Sequence, residues 1–214
     1  ATVLPFAADP LHNSLHRAQT VWDSSSNAVF LFDDALPYPT TKHNETNGGC
    51  IVRIWKSSDL GQHWTSVQNM TSDSGKGSGL ATGIQLPSGK LVVSQRAGCN
   101  SHKSDAGAHA LWSVDGGRSW TAGSPTAADV NENQIARLTN GSLLMNARTT
   151  GRNRLSLLST NEGQSWSAPQ VVAGLSGNAT CEGSLFSFAP GGLHGGAAAA
   201  APAAAAGGRG GGGG

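Results

Sequence analysis

One eight-residue pattern, serine, any residue, aspartate or asparagine, any residue, glycine, two residues and tryptophan, occurs three times in this chain. It is carried first by Ser57, Asp59, Gly61 and Trp64, then by Ser113, Asp115, Gly117 and Trp120. The third copy has Ser159, Asn161, Gly163 and Trp166, with Asn161 in the aspartate position. Copies begin 56 and then 46 positions apart, the spacing of a repeated supersecondary unit. A short carboxylate or amide side chain accepts hydrogen bonds from nearby backbone N–H groups and fixes a tight turn. The glycine permits a backbone conformation closed to residues with a Cβ. The tryptophan begins the returning strand and packs on the sheet. An apolar strand precedes each copy: Ile51/Val52/Ile54, Leu111/Trp112 and Leu155/Leu157/Leu158. The twelve pattern residues are therefore read as structural staples of three hairpins.

The rest of the chain is short strands separated by turn chemistry. Strands are predicted at 28–32, 50–55, 83–86, 91–94, 108–112, 134–138, 143–146, 155–158 and 184–188. Pro87–Lys90 and Thr139–Ser142 join two pairs of them as hairpins, the second through an Asn-Gly dipeptide suited to positive φ. No stretch sustains helical periodicity, so the fold class is all-β. Four-stranded units at this repeat length point to a β-propeller, with three copies of the pattern accounting for about three to four blades. Residues 1–189 are read as this propeller. Residues 190–214, almost entirely Ala and Gly, lack side chains to bury and are expected to form a disordered tail.

Composition narrows the function classes. Net charge is +1 and charged residues make up 13%, with no basic stripe to suggest nucleic acid. No apolar run approaches the roughly 20 residues of a membrane span. Cys50, Cys99 and Cys181 are odd in number and form no C-x-x-C pair, and the seven histidines form no close-spaced ligand pair, so no metal is predicted. No cofactor is predicted either. Glycosylation sequons begin at Asn44, Asn69, Asn140 and Asn178, which leans the reading toward a secreted or lumenal protein.

The three stapled turns resemble the Asp boxes of the sialidase (neuraminidase) superfamily, whose fold is a six-bladed propeller; the same box also occurs in non-catalytic propellers. A longer segment sharpens the resemblance. Asn131-Glu132-Asn133-Gln134-Ile135-Ala136-Arg137-Leu138, followed by Gly141-Ser142-Leu143-Leu144-Met145-Asn146-Ala147-Arg148, is similar to the sialidase pattern N-E-x-Q-h-x-x-L…G-x-L-h-x-N-x-R, with h apolar. The resemblance implies that Glu132 polarises a tyrosine nucleophile and that Arg148 is the second of three arginines gripping the substrate carboxylate. A planar guanidinium suits that task, because it holds a carboxylate through two parallel hydrogen bonds. Both residues sit at the ends of one hairpin away from its turn, so both can serve one pocket. Leu80–Val93, Ala18–Asp23 with Ala28–Phe32, and Thr180–Leu185 also resemble the family in order, Glu182 standing where glutamine is commoner. Arg96, in Gln95-Arg96-Ala97-Gly98, is a further candidate for substrate contact, placed in a loop after a strand. Arg152 and Arg154 are expected to be exposed.

The family's R-I-P segment, its aspartate-bearing loop, its third arginine and its tyrosine have no counterpart in these residues. The one tyrosine, Tyr38, lies between prolines far from the expected position. The expected function is that of an exo-α-sialidase-like glycoside hydrolase fragment acting on terminal sialic acids of glycoconjugates, inactive as this chain alone. The alternative is a non-catalytic Asp-box propeller that binds a glycan or a protein. A sialylated glycan or other acidic sugar is the expected partner. An arc of blades exposes strand edges, so self-association through them is also expected.

Overall fold

A computed structural model of the protein describes residues 18–35, 51–71, 76–77, 82–97, 107–127, 129–149, 151, 153–175 and 183–187. All of the described strands belong to three antiparallel sheets. The first consists of β1 (Ala18–Asp23), β2 (Ala28–Ala35), β3 (Ile51–Ser57) and β4 (Thr65–Thr71), paired in chain order. In the second, β5 (Lys76–Gly77) and β6 (Ile84–Gln85) pair with opposite ends of β7 (Leu91–Ala97), followed by β8 (Ala108–Ser113) and β9 (Thr121–Ala122). The third is β10 (Asn133–Arg137), β11 (Leu143–Arg148), β12 (Arg154–Ser159) and β13 (Gln170–Val171).

These sheets are three consecutive blades of an incomplete propeller. Their inner strands stand side by side, with β6 and β7 touching β1 on one side and β10 on the other. Alternation of side chains along each strand then gives every blade two faces. Val21, Phe30, Phe32 and Ile54 of the first blade meet Leu91, Val93 and Leu111 of the second. The opposite face of the second blade, with Val92 and Ala110, meets Ile135, Leu143, Met145, Ala147 and Leu157 of the third. Fully buried side chains of this kind contribute roughly 1.5–3 kcal/mol each, so the seams between blades are where the arc is held together.

Each box anchors its own turn, and the second and third also wedge into the preceding blade. In the second box Ser113 Oγ donates to Asp115 Oδ1 at 2.7 Å, and Gly117 N and Ser119 N donate back to Ser113 Oγ and Asp115 Oδ1 at 2.8 and 3.0 Å. The first and third boxes repeat this pattern about Asp59 and Asn161. Gly117 lies against the Phe30 ring, where an added Cβ would come within 2.1 Å of it, and Trp120 meets Phe30 and Phe32 edge-on at 5.7 and 4.8 Å. Gly163 packs against Ala110 and Val92 in the same way one blade on. Lys90 is buried beneath the next seam, with Nζ 4.8 Å from the Trp112 ring and 3.1 Å from the Glu162 carbonyl oxygen.

The expected returning strands follow the boxes: β4 starts directly after Trp64 and β9 directly after Trp120, while β13 starts four residues after Trp166. The strand expected at 184–188 differs. Residues 183–187 form no ladder and are tied to the third blade by Leu185 N, which donates to Gln134 Oε1 at 2.8 Å. Leu158, on the outward side of that blade, and Phe186 beside it are 45% and 66% exposed, so among the described residues no further blade covers this part of the third one. Of the sequons, Asn69 lies on β4 and Asn140 in the β10–β11 turn, both exposed. Tyr38, Glu182, Arg152, the three cysteines and residues 190–214 lie outside the described residues.

Candidate functional site

The β10–β11 hairpin builds the site. Its turn closes through Leu138 N to Ser142 O at 2.8 Å and Gly141 N to Leu138 O at 3.0 Å, with Gly141 at φ +90°. That closure fixes the register, from Arg137 opposite Leu143 to Asn133 opposite Ala147. At the far end Arg148 N donates to Glu132 O at 2.8 Å, and Asn131 N donates to Arg148 O at 2.8 Å. Two residues there face one, as in a β-bulge, which ends the ladder and re-aims a side chain.

The two residues singled out in the sequence meet. Arg148 Nη1 and Glu132 Oε2 are 2.7 Å apart. Their side chains are 28% and 14% exposed, so the pair is sheltered yet open on one side. Arg148 Nε is buried and donates to no partner among the described residues, which leaves donor capacity beyond the bond to Glu132.

Arg154 departs from the expectation of exposure. It lies directly across from Arg148 in the β11–β12 ladder and is 5% exposed. Side chains of cross-strand partners share a face, so the sequence signal was present in the register and could be read only once β11 and β12 were aligned. Its Nε donates to Asn146 Oδ1 at 2.9 Å, and Nη2 reaches the same oxygen. Burial holds the Arg154 pKa below its ordinary value; Glu132 opposes that shift and Arg148 reinforces it. The group nevertheless stays a cation, as arginine does in proteins. Gly183 passes over it, and a Cβ there would come within 2.9 Å of Nη2.

Arg96 is not in a loop. It lies in β7, buried, and four residues past Val92 just as Arg148 lies four past Leu144. Val92 pairs with Trp112 and Leu144 with Leu158, each one residue before a box serine, so Arg96 and Arg148 hold equivalent places in successive blades. Alternation puts Arg96 on the face that β7 turns to the third blade, whereas Arg148 is on the face of β11 turned away from the second. His109, buried opposite Gln95, shares the side of β8 that carries Leu111 into the first seam. An ion pair the sequence reading missed, Arg53 with Asp33, is buried at the corresponding end of the first blade, with Arg53 Nε to Asp33 Oδ1 at 2.9 Å. Among the described residues no group of three or more His, Cys, Asp or Glu side chains is arranged to hold a metal.

Residues 9–185 match the family described as BNR repeat-like domain. Sialidase-4 of Homo sapiens is 31% identical over 217 residues, covering 87% of this chain and 44% of that protein. The Mus musculus Sialidase-4 is 29% identical with the same coverage. The chain thus spans less than half the length of these relatives. Among solved structures, Hadza microbial sialidase Hz136 superposes with a TM-score of 0.59 at 18% identity, over 71% of this chain and 32% of that one. Trypanosoma rangeli sialidase in complex with sialic acid gives 0.56 at 15% identity, over 74% of this chain and 28% of that one. These structural likenesses concern the fold.

Proposed function

Since the chain belongs to the BNR repeat-like domain family, within the sialidase superfamily, we propose that Glu132 and Arg148 are part of a site for terminal sialic acid on glycoconjugates. The observation that carries this reading is the 2.7 Å contact between the two side chains at the open end of one hairpin. Arg148 would grip the sugar carboxylate through its unspent N–H groups, which gives both strength and orientation. Glu132 holds the guanidinium in place and, in a complete site, takes the phenol proton as a tyrosine oxygen bonds to the anomeric carbon and the glycosidic C–O bond breaks, the leaving oxygen taking a proton from a general acid, the sialidase departure from two-carboxylate hydrolysis. No tyrosine lies among the described residues. Hydrolysis therefore belongs to a complete site, and recognition is the function proposed for this chain. Arg96 is proposed as a secondary contact from the neighbouring blade.

The test is a titration of the protein with free sialic acid, followed by NMR or calorimetry. Arg148→Ala is expected to weaken binding by roughly tenfold to a hundredfold, the worth of a charge-assisted hydrogen bond. Glu132→Gln, which keeps the shape, should weaken it less. Unchanged affinity in Arg148→Ala would refute the reading. Turnover of a fluorogenic sialoside by this chain, lost in Glu132→Gln, would favour catalysis over recognition alone.

A further inference from the structure

One kind of contact joins blade to blade twice in this molecule, and the chain carries both halves of a third. By register Phe30, Val92 and Leu144 are equivalent, since they pair with Lys56, Trp112 and Leu158, each one residue before a box serine. Gly117 of the second box lies on Phe30, and Gly163 of the third lies on Val92. The residue before each glycine reaches the same preceding blade. Gly116 lies beside Asp23, and the Glu162 carbonyl oxygen accepts from Lys90 Nζ at 3.1 Å. Phe30 and Val92 are fully buried in these seams. The remaining halves are open. Leu144 is only partly buried, and its partner Leu158 is 45% exposed. At the other end of the arc, Gly61 of the first box packs only against the Trp64 ring of its own hairpin among the described residues. Leu60 before it is 79% exposed and has positive φ, like the Gly116 and Glu162 that touch a preceding blade.

We propose that the first box of a second copy of this chain docks on the third blade, with Gly61 on Leu144 and Leu60 against the β10–β11 turn, covering Leu158. The occupant is a second copy because this chain already makes the same contact with itself in both seams, so it carries the complementary shape. A net charge of +1 also gives two copies little reason to repel each other. The interface joins head to tail, so the two surfaces in contact are different ones. It uses blade faces and box turns, not the hydrogen-bonding edges of β4 or β13, and it is independent of the sialic-acid reading.

Sedimentation velocity over a range of protein concentrations tests this in wild type, Leu60→Asn, Leu158→Lys and an equimolar mixture of the two variants. Near-UV circular dichroism and the thermal midpoint check that each variant is folded. Asparagine tolerates positive φ better than leucine, so Leu60→Asn is expected to keep or raise the thermal midpoint. It is nevertheless expected to weaken self-association roughly tenfold, the scale of one apolar side chain buried at a contact. Leu158→Lys, on the opposite half, is expected to weaken it by a similar factor. Each variant keeps one intact surface, so the mixture is expected to regain one contact of wild-type strength and to stop at a pair. A wild type that stays monomeric at every concentration overturns the proposal, as does association that survives either substitution, which would point to strand edges. Loss in both variants without recovery in their mixture contradicts the head-to-tail arrangement.

Discussion

At the residue scale, the third box shows how an amide replaces a carboxylate. Asp115 Oδ2 accepts from Ser119 Oγ at 2.6 Å, whereas Asn161 Nδ2 donates to Ser165 Oγ at 2.8 Å. The hydroxyl rotates to suit, so both boxes make the same turn. The chemistry differs in acid. Hydrogen bonds from Ser119 and Ser113 hold Asp115 down to about 2, and those from His63 and Ser57 hold Asp59 down to about 2. A carboxylate whose folded pKa lies below its unfolded value stabilises the fold above the unfolded pKa. It loses that contribution as pH falls through the folded one. The first two boxes should therefore weaken between about pH 4 and pH 2, while the third should not. Asp115→Asn is expected to keep the fold near pH 7 and flatten the acid dependence of the thermal midpoint in that window. An unchanged acid slope would contradict this. The sequence revealed the role of each box glycine but not that the residue before it also has positive φ. Leu60, Gly116 and Glu162 lie at +61°, +69° and +57°. Leu60 and Glu162 adopt that conformation despite a Cβ, because the paired hydrogen bonds around the serine and the aspartate or asparagine over-determine the turn.

At the element scale, the box is a link between blades as much as a turn. Trp120 is 4% exposed between Phe30 and Phe32, whereas Trp64 and Trp166 are only half-buried. Trp120→Ala should cost about 3–5 kcal/mol in a denaturant titration, through the cavity it leaves in the first seam. Trp64→Ala should cost clearly less, and equal losses would show that the tryptophans act within their own hairpins. Strands were legible where an apolar run met turn chemistry, as at β2, β7 and β11. The two-residue piece β5 was not, since two residues carry no periodicity, and β9 and β13 were expected only as the returning strands of their boxes. Arg96 was misplaced in a loop for a related reason. Gln95 and Arg96 are polar, and a polar strand end reads as a loop until its register across from His109 and Ala108 is known. Arg154 failed the same way, since its burial depends on Asn146 and Gly183 rather than on its own neighbours in sequence.

On the scale of the whole molecule, three blades place their strand ends around one region, and the polar side chains there are not scattered. Asp33 and Arg53, Gln95 and His109, and Arg148 and Arg154 are cross-strand pairs at one end of successive blades. The boxes occupy the opposite end, where they tie blade to blade. This division explains why the box motif alone predicted architecture, while the Asn131–Arg148 segment was needed for function. The candidate site was legible to the extent that Glu132 and Arg148 were named together and lie 2.7 Å apart. A crystal structure of the protein soaked with sialic acid addresses the central claim most directly. The sugar carboxylate is expected within hydrogen-bond distance of the Arg148 guanidinium, with Glu132 still on its other side. A sugar bound elsewhere, or an Arg148 side chain turned away from it, would contradict the account.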